Sequence, residues 1–188
     1  MAWRKRPLPA AEERSADPAK AREKALDWLT ARDHSAQQLY DKLRRYYTDE
    51  AAAAAVAEMV GHGYLDDRRF AQNKARALYA QHKSRRAILR ALAEKGVDKA
   101  LADQVVQQLY DEQQAELEAA AAFAPCDTAD PETASALALV QKSYRRKLEA
   151  GRPDLVLAAL QRRGFSYRAA RGALALAQAA GTDGELPA

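Results

Sequence analysis

The sequence predicts an all-α protein built from three tandem three-helix units. Alanine supplies much of the 48% hydrophobic content while aromatic residues make up only 7%, and this composition favours helices packed through small side chains over a thick sheet core. Apolar side chains also recur at helical spacing along most of the chain. Turn and cap residues interrupt this spacing at related positions, which indicates an internal repeat.

The first unit is predicted over residues 18–65, after an arm of residues 1–17 that is basic and lacks periodicity, as flexible ends do. Its first helix is expected from Pro18 to Ala31, with Trp28 in the core. Ser35, followed three residues later by Gln38, is a capping box that starts the second helix. On that helix Lys42, Arg44 and Arg45 are expected to point outward.

The third helix of this unit is expected from Glu50 to Val60, with Asp49 as its cap and Ala53, Val56 and Val60 turned inward. A junction of residues 61–70 then leads into the second unit. Gly61 and Gly63 suit a helix end. The residues that follow are expected to anchor the junction (Tyr64, Leu65), to cap the next helix (Asp66 or Asp67) and to open it (Arg69, Phe70).

A register can be followed from Ser35, Ser84 and Arg152. In all three segments an apolar residue stands at +4 and +8, a cap at +14 and a small residue at +18, and the second and third have glycine at +12, namely Gly96 and Gly164. Phe165 follows the latter glycine. The second unit is therefore predicted over residues 66–111 and the third over 132–180, and the third is expected to open with a helix at about 132–149.

An acidic, alanine-rich connector of residues 112–131 separates these two units, and a frayed tail is expected over 181–188. The preceding helix is expected to extend to Phe123, with a break at residues 124–127. Both a hinge and a rigid helix are compatible with the connector. Cys126 is the single cysteine, so the chain has no internal disulfide, and a reducing cytoplasm is the expected location.

Charge is distributed in blocks around a net +4. Residues 61–111 contain ten basic and six acidic side chains, residues 138–171 contain nine and two, and residues 112–137 contain six acidic side chains and no basic ones. Basic blocks suit polyanions such as nucleic acid, although solvated helix surfaces also carry them. The candidate binding residues are Lys74, Arg76, Lys83, Arg85, Arg86, Arg90, Lys142, Arg145, Arg146, Lys147, Arg162, Arg163 and Arg168.

Several function classes lack their signatures in this sequence. It has no glycine-rich phosphate loop, and its three histidines stand at turns without partners at ligand spacing. We therefore predict no catalytic residues, no metal, no cofactor and no membrane span. Stacking platforms for single-stranded nucleic acid are not expected either, because Tyr64, Phe70, Tyr110 and Phe165 suit junctions and cores better.

Four segments carry a resemblance to a known family. They are Arg32-Asp33-His34-Ser35 followed by Leu39 and Leu43, the string His62-Gly63-Tyr64-Leu65-Asp66-Asp67 followed by Arg69-Phe70, then Lys95-Gly96-Val97, and finally Leu160-Gln161-Arg162-Arg163-Gly164-Phe165. In these segments the chain resembles the bacterial RecX family, modulators of the RecA recombinase, over about residues 20–178. Its motif residues are Ser35, Gly63, Tyr64, Leu65, Asp66, Asp67, Arg69, Phe70, Gly96, Gly164 and Phe165.

The resemblance implies an elongated, curved, solenoid-like array of the three repeats. It also implies binding to the RecA–single-stranded DNA filament, suppression of RecA ATP hydrolysis and strand exchange, and hence regulation of DNA repair, recombination and the SOS response. Capping of filament ends and coating of the groove both fit, as does contact of the basic blocks with RecA or with single- or double-stranded DNA. A monomer is expected. The alternatives are a stand-alone DNA-binding helical module and a passive helical adaptor.

Overall fold

A computed structural model describes residues 14–121 and 130–182. Within these ranges the chain is all-α, as predicted, and an isolated bridge between Ser15 and Tyr47 is the only strand-like pairing. The helices are α1 (Pro18–Ala31), α2 (Ala36–Leu43), α3 (Asp49–Gly61), α4 (Asp67–Tyr79), α5 (Arg85–Ala93), α6 (Lys99–Ala121), α7 (Pro131–Ser143), α8 (Arg145–Glu149), α9 (Pro153–Arg162) and α10 (Tyr167–Thr182).

The described residues divide into two compact units. The N-terminal unit contains the chain up to Ala71 together with Ala93–Leu101, and the C-terminal unit contains Gln72–Leu92 and the chain from Ala102 onward. The helices of the second repeat, α4 to α6, thus contribute to both units.

The first repeat packs α1 and α2 against α3 around a small core. The buried side chains are Ala21, Ala25, Leu39, Leu43, Ala51, Ala52, Ala55, Met59 and Leu65, with Trp28 and Val56 packed against them. The predicted inward face of α3 was partly wrong, because Ala53 is exposed and Val60 is 52% exposed. The five consecutive alanines at 51–55 have no apolar periodicity, so they do not indicate which face of the helix is buried.

Side-chain caps begin the first three helices. Asp17 accepts hydrogen bonds at α1, and Ser35 forms the predicted capping box at α2. At α3 the cap is Thr48, whose hydroxyl accepts from the backbone N–H of Ala51, and the predicted cap, Asp49, is already the first helical residue. Its carboxylate is instead held by the guanidinium groups of Arg14 at 2.9 Å and Arg44 at 3.2 Å.

The arm predicted over residues 1–17 is attached at its C-terminal end. Arg14 forms the ion pair with Asp49 described above. The backbone N–H of Ser15 donates to the carbonyl oxygen of Tyr46, and the carbonyl oxygen of Ser15 accepts from the backbone N–H of Thr48, both at 2.9 Å. Residues 14–17 therefore belong to the first repeat, a departure from the expected arm, while residues 1–13 lie outside the described residues.

The junction before α4 uses both aspartates. Asp66 caps α4 by accepting from the backbone N–H of Arg69 at 3.0 Å, and Asp67 accepts from the backbone N–H of Ala36 at 2.8 Å, at the start of α2. Leu65 is buried as predicted, at 4% exposure, but Tyr64 is 56% exposed. The prediction that Tyr64 anchors the junction was wrong, because Leu65 occupies the core position alone.

The third repeat packs α10 against α7 and α9. Its core contains Ala136, Leu139, Val140, Val156, Leu160, Phe165, Ala170, Ala173 and Leu174. The helix predicted at about 132–149 breaks at Tyr144, which separates α7 from α8. Ser166 caps α10 as predicted, accepting from the backbone N–H of Ala169 at 3.2 Å, and its hydroxyl donates to Glu132 at 2.8 Å.

In the connector, α6 continues to Ala121, so the predicted extension is confirmed that far. The predicted break at 124–127 and Cys126 lie outside the described residues, as do residues 183–188.

Two buried serines form equivalent hydrogen bonds to the turn of the following repeat. Within the N-terminal unit the hydroxyl of Ser35 donates to the carbonyl oxygen of Lys95, and within the C-terminal unit that of Ser84 donates to the carbonyl oxygen of Arg163 at 2.9 Å. The residues after these carbonyls, Gly96 and Gly164, have φ of +76° and +90°. A Cβ would clash with Gln37 at the first glycine and would lie 2.9 Å from the Ser84 hydroxyl at the second.

Candidate functional site

The predicted basic residues at the start of α5 and the end of α9 meet within the C-terminal unit. The hydrogen bond from Ser84 to the Arg163 carbonyl joins these two helix ends. Gly164 faces the aliphatic part of the Arg86 side chain, and a Cβ added at this glycine would lie 3.5 Å from the Arg86 Cβ. Arg86, Arg162 and Arg163 are exposed. Two basic segments that are 76 residues apart in the chain are thus adjacent in the fold.

The break between α7 and α8 adds a third segment. The ring of half-buried Tyr144 has the Arg163 guanidinium carbon 5.5 Å and the Lys147 ammonium 5.6 Å from its centroid, within the range of cation–π attraction. The sequence analysis predicted a single helix over about 132–149, without a break at Tyr144. We call Lys83, Arg86, Lys147, Arg162 and Arg163, which are all exposed, the C-terminal basic surface.

Electrostatics within this surface differ between its helices. Lys83 and Arg86 stand at the N-terminus of α5, where cations oppose the helix dipole, whereas Arg162 and Arg163 stand at the C-terminus of α9, where the dipole favours them. The helix dipole therefore does not stabilise Lys83 and Arg86, as is expected of residues kept for binding.

Other candidates are engaged in local contacts. Arg76 pairs with Glu112 at 3.2 Å and Arg145 with Glu149 at 2.8 Å, while half-buried Arg85 donates to the side-chain oxygen of Gln107 at 2.7 Å. Lys74 is half-buried on α4. Arg90 lies one turn beyond Arg86 on α5. The exposed candidates on other helices are Lys142, Arg146 and Arg168.

A second cluster, which the sequence analysis missed, lies in the N-terminal unit around Lys42. Its ammonium is 4.0 Å from the centroid of the Trp28 ring and 3.3 Å from Nε2 of His34. Lys42 was expected to point outward, but it is half-buried between these two rings, and burial lowers its pKa. Among the described residues, no carboxylate lies within 4.0 Å of this ammonium.

His34 is 4% exposed, and burial, with the charges of Lys42 and Arg32, lowers its pKa to about 4. The imidazole is therefore neutral at pH 7 and accepts a hydrogen bond from Lys42. The charge of Lys95 also lowers this pKa, while the Asp33 carboxylate opposes the shift. Tyr46, 59% exposed, lies with its ring centroid 6.1 Å from that of Trp28.

We call Trp28, Arg32, His34, Lys42, Tyr46 and Lys95 the Lys42 cluster. One sequence feature could have indicated this cluster: Lys24, which is not a member, stands four residues before Trp28, and its ammonium lies 5.8 Å from the Trp28 ring. The other members come from the turn between α1 and α2, from α2, from the turn after it and from the turn after α5, so helical periodicity does not connect them.

The described residues contain no helix long and apolar enough to cross a membrane, and no group of three or more potential metal-ligating side chains.

Comparison with known proteins identifies the repeats. The family model described as RecX, first three-helix domain, matches residues 21–59, and the model for the second three-helix domain matches residues 66–106. Two curated relatives, both named Regulatory protein RecX and from Stenotrophomonas maltophilia strains K279a and R551-3, are 47% identical over 55 residues. That match covers 29% of this chain and about a third, 34%, of each relative.

Solved structures agree on the fold. The chain is similar to the crystal structure of RecX from Lactobacillus salivarius with a TM-score of 0.68 and 16% identity, covering 86% of this chain and 97% of that one. It is similar to a second crystal structure, of regulatory protein RecX, with a TM-score of 0.65 and 22% identity, covering 81% and 70%. On these matches, residues 21–59 and 66–106 belong to the RecX family, and the chain shares the fold of the solved RecX structures.

Proposed function

We propose that this chain is a negative modulator of the RecA recombinase, which binds the RecA–single-stranded DNA filament and inhibits its ATP hydrolysis and strand exchange. The match of residues 21–59 and 66–106 to the RecX family carries the proposal, because RecA is the partner that the resemblance implies. The protein acts in the cytoplasm as a monomer, without catalytic residues or a cofactor of its own, and so regulates DNA repair and recombination.

The C-terminal basic surface is the part of the chain that we assign to the filament. Its five cations come from two successive repeats, so one partner surface can meet both, as is typical of binding by helical repeat proteins. Either acidic RecA side chains or DNA phosphates complement it. Lys74, Arg76, Arg85, Arg90, Lys142, Arg145, Arg146 and Arg168 remain secondary candidates.

The first experiment is a titration of RecA ATP hydrolysis on single-stranded DNA with this chain, at well below one copy per RecA protomer. We expect strong inhibition at low ratio, while the chain alone hydrolyses no ATP. Inhibition that begins only when the DNA is saturated would contradict the proposal and favour a stand-alone DNA-binding module.

A charge-matched pair of variants tests the surface. Neutralising Arg86, Arg162 and Arg163 to Gln is expected to weaken inhibition strongly, because three exposed cations of the surface are lost. The control neutralises Lys20, Arg22 and Lys99 to Gln, three exposed cations outside the surface, and keeps the same net charge. Equal inhibition by the two variants would contradict the assignment of the surface while leaving the RecA-directed activity intact.

A further inference from the structure

The Lys42 cluster is an array of cations that the fold leaves uncompensated. Lys42 is half-buried, contacts a neutral imidazole and an indole face, and has no carboxylate within 4.0 Å among the described residues. Arg32 and Lys95 add two more positive charges near His34, and Asp33 opposes them. Like charges in a partly desolvated site repel one another, so this arrangement opposes folding of the free protein and favours an anion.

The geometry holds Lys42 in place for such a ligand. The His34 imidazole accepts a hydrogen bond from the Lys42 ammonium, and the centroid of the Trp28 ring lies 4.0 Å from this ammonium. Because these contacts already restrict the Lys42 side chain, binding a ligand costs less side-chain entropy. An ammonium has three N–H donors, and the pair with His34 uses one of them.

An exposed aromatic ring adjoins Trp28, the ring that Lys42 contacts. Tyr46 is 59% exposed, and its backbone carbonyl is fixed by Ser15. Its ring is tilted by 53° from that of Trp28, so only its edge region meets the indole and its outer face is open. Cations beside an exposed ring are what single-stranded nucleic acid uses, because the backbone places a phosphate next to each unpaired base.

We propose that the Lys42 cluster binds single-stranded nucleic acid, with a backbone phosphate at Lys42 and an unpaired base stacked on Tyr46. An acidic protein segment would satisfy the cations but gives the exposed ring no matching partner, and a duplex offers no unpaired base. The proposal concerns the chain alone and does not depend on RecA. It places a nucleic-acid contact within the N-terminal unit, whereas the C-terminal basic surface belongs to the other unit.

Trp28 provides a local readout. The chain has two tryptophans, so the Trp3→Phe variant leaves Trp28 as the only one. We would titrate this variant with a thymidylate oligonucleotide, which does not fold, and follow Trp28 fluorescence together with the anisotropy of a labelled strand. A saturable change in Trp28 emission is expected. The titration is repeated with Arg86, Arg162 and Arg163 neutralised to Gln, which removes binding by the C-terminal basic surface.

Two substitutions in this background separate phosphate binding from stacking. Lys42→Met removes the cation at similar length and is expected to lower the slope of log affinity against log salt by about 0.7, one phosphate contact on a single strand. Lys20→Met is the control with the same change in charge. Tyr46→Ala is expected to weaken binding about tenfold, whereas Tyr46→Phe keeps the ring and the affinity.

Several results would overturn the proposal. These are equal salt slopes for Lys42→Met and Lys20→Met, unchanged affinity in Tyr46→Ala, and equal binding of a duplex of the same length. Displacement of the oligonucleotide by polyglutamate at equal charge would identify an acidic protein as the ligand instead. Circular dichroism melting of each variant confirms that the repeats are folded, and the RecA titration above reports separately on the proposed function.

Discussion

The hydroxyl of Ser84 donates a hydrogen bond to the carbonyl oxygen of Arg163, 2.9 Å away, although 79 residues separate them. The same hydroxyl accepts from the backbone N–H of Ala87 at 3.2 Å and so caps α5. Ser35 has both roles in the N-terminal unit, with Gln38 and Lys95. One hydroxyl therefore starts a helix and fixes the turn that ends a helix in the next repeat.

Ser84→Ala is expected to destabilise the protein by about 2 kcal/mol, because the substitution removes a helix cap and leaves the partly buried Arg163 carbonyl without its donor. The free energy of unfolding in urea measures the loss. The same substitution at exposed Ser143, at the end of α7, is the control and is expected to change stability by less than about 0.5 kcal/mol. Equal effects at the two positions would show that the hydrogen bonds of Ser84 contribute nothing to stability.

Gly164→Ala is expected to destabilise more than Gly151→Ala. Both glycines have positive φ, at +90° and +68°, so alanine at either position costs roughly 1–2 kcal/mol of backbone strain. At Gly164 the added Cβ would also lie 2.9 Å from the Ser84 hydroxyl, whereas no atom comes within 4 Å at Gly151. Thermal unfolding of the two variants gives the comparison, and a larger loss for Gly151→Ala would contradict it.

Much of this fold was predictable from local chemistry. The caps Ser35 and Ser166 and the first helix were identified from side chains within a few residues of the feature itself. Thr48 and Asp49 show the limit of such reasoning, since both can cap a helix and the choice depended on Arg14 and Arg44, which bind the aspartate.

The binding surfaces were predictable only in part. Composition located the basic blocks, but the adjacency of Arg86 and Arg163 depends on the Ser84 hydrogen bond, which no periodicity indicates. The exposure of Tyr46 and the burial of His34 reverse the usual expectation for an aromatic and a polar residue. Tertiary packing determines the exposure of both residues, and both belong to the Lys42 cluster.

Tyr110→Phe is expected to leave stability unchanged or raise it by up to about 1 kcal/mol. The Tyr110 hydroxyl is buried without a hydrogen-bond partner among the described residues, and burial raises its pKa. Its ring contacts, edge-on to Tyr79 at 5.7 Å and under Arg85 at 5.5 Å, survive the change. Urea unfolding measures the effect, and a loss above 1 kcal/mol would mean that the hydroxyl has a partner.

Tyr79→Phe serves as the comparison for that experiment. The Tyr79 hydroxyl donates to the carbonyl oxygen of Pro131 at 3.4 Å, so its removal is expected to lower stability slightly, by about 0.5 kcal/mol. Tyr110→Phe should therefore be at least as stable as the wild type, whereas Tyr79→Phe should be slightly less stable.

His34 is expected to make the protein less stable as the pH falls. In the folded chain its pKa is about 4, while the unfolded value is about 6.5, so the unfolded state binds more protons between these pH values. Stability is thus full above pH 6.5 and declines toward pH 4, with a loss of about 2 kcal/mol between pH 7.5 and pH 5. Few carboxylates titrate in that window.

The variant His34→Gln should flatten this dependence, because glutamine has no proton to bind, even though its own stability at pH 7.5 is lower. His62→Gln is the control, because it removes an exposed histidine that lies outside the Lys42 cluster. Urea unfolding at pH 7.5, 6.5, 5.8 and 5.0 gives the slopes. Parallel slopes for wild type and His34→Gln would contradict the prediction, because they would show that His34 binds its proton as readily in the folded chain as in the unfolded one.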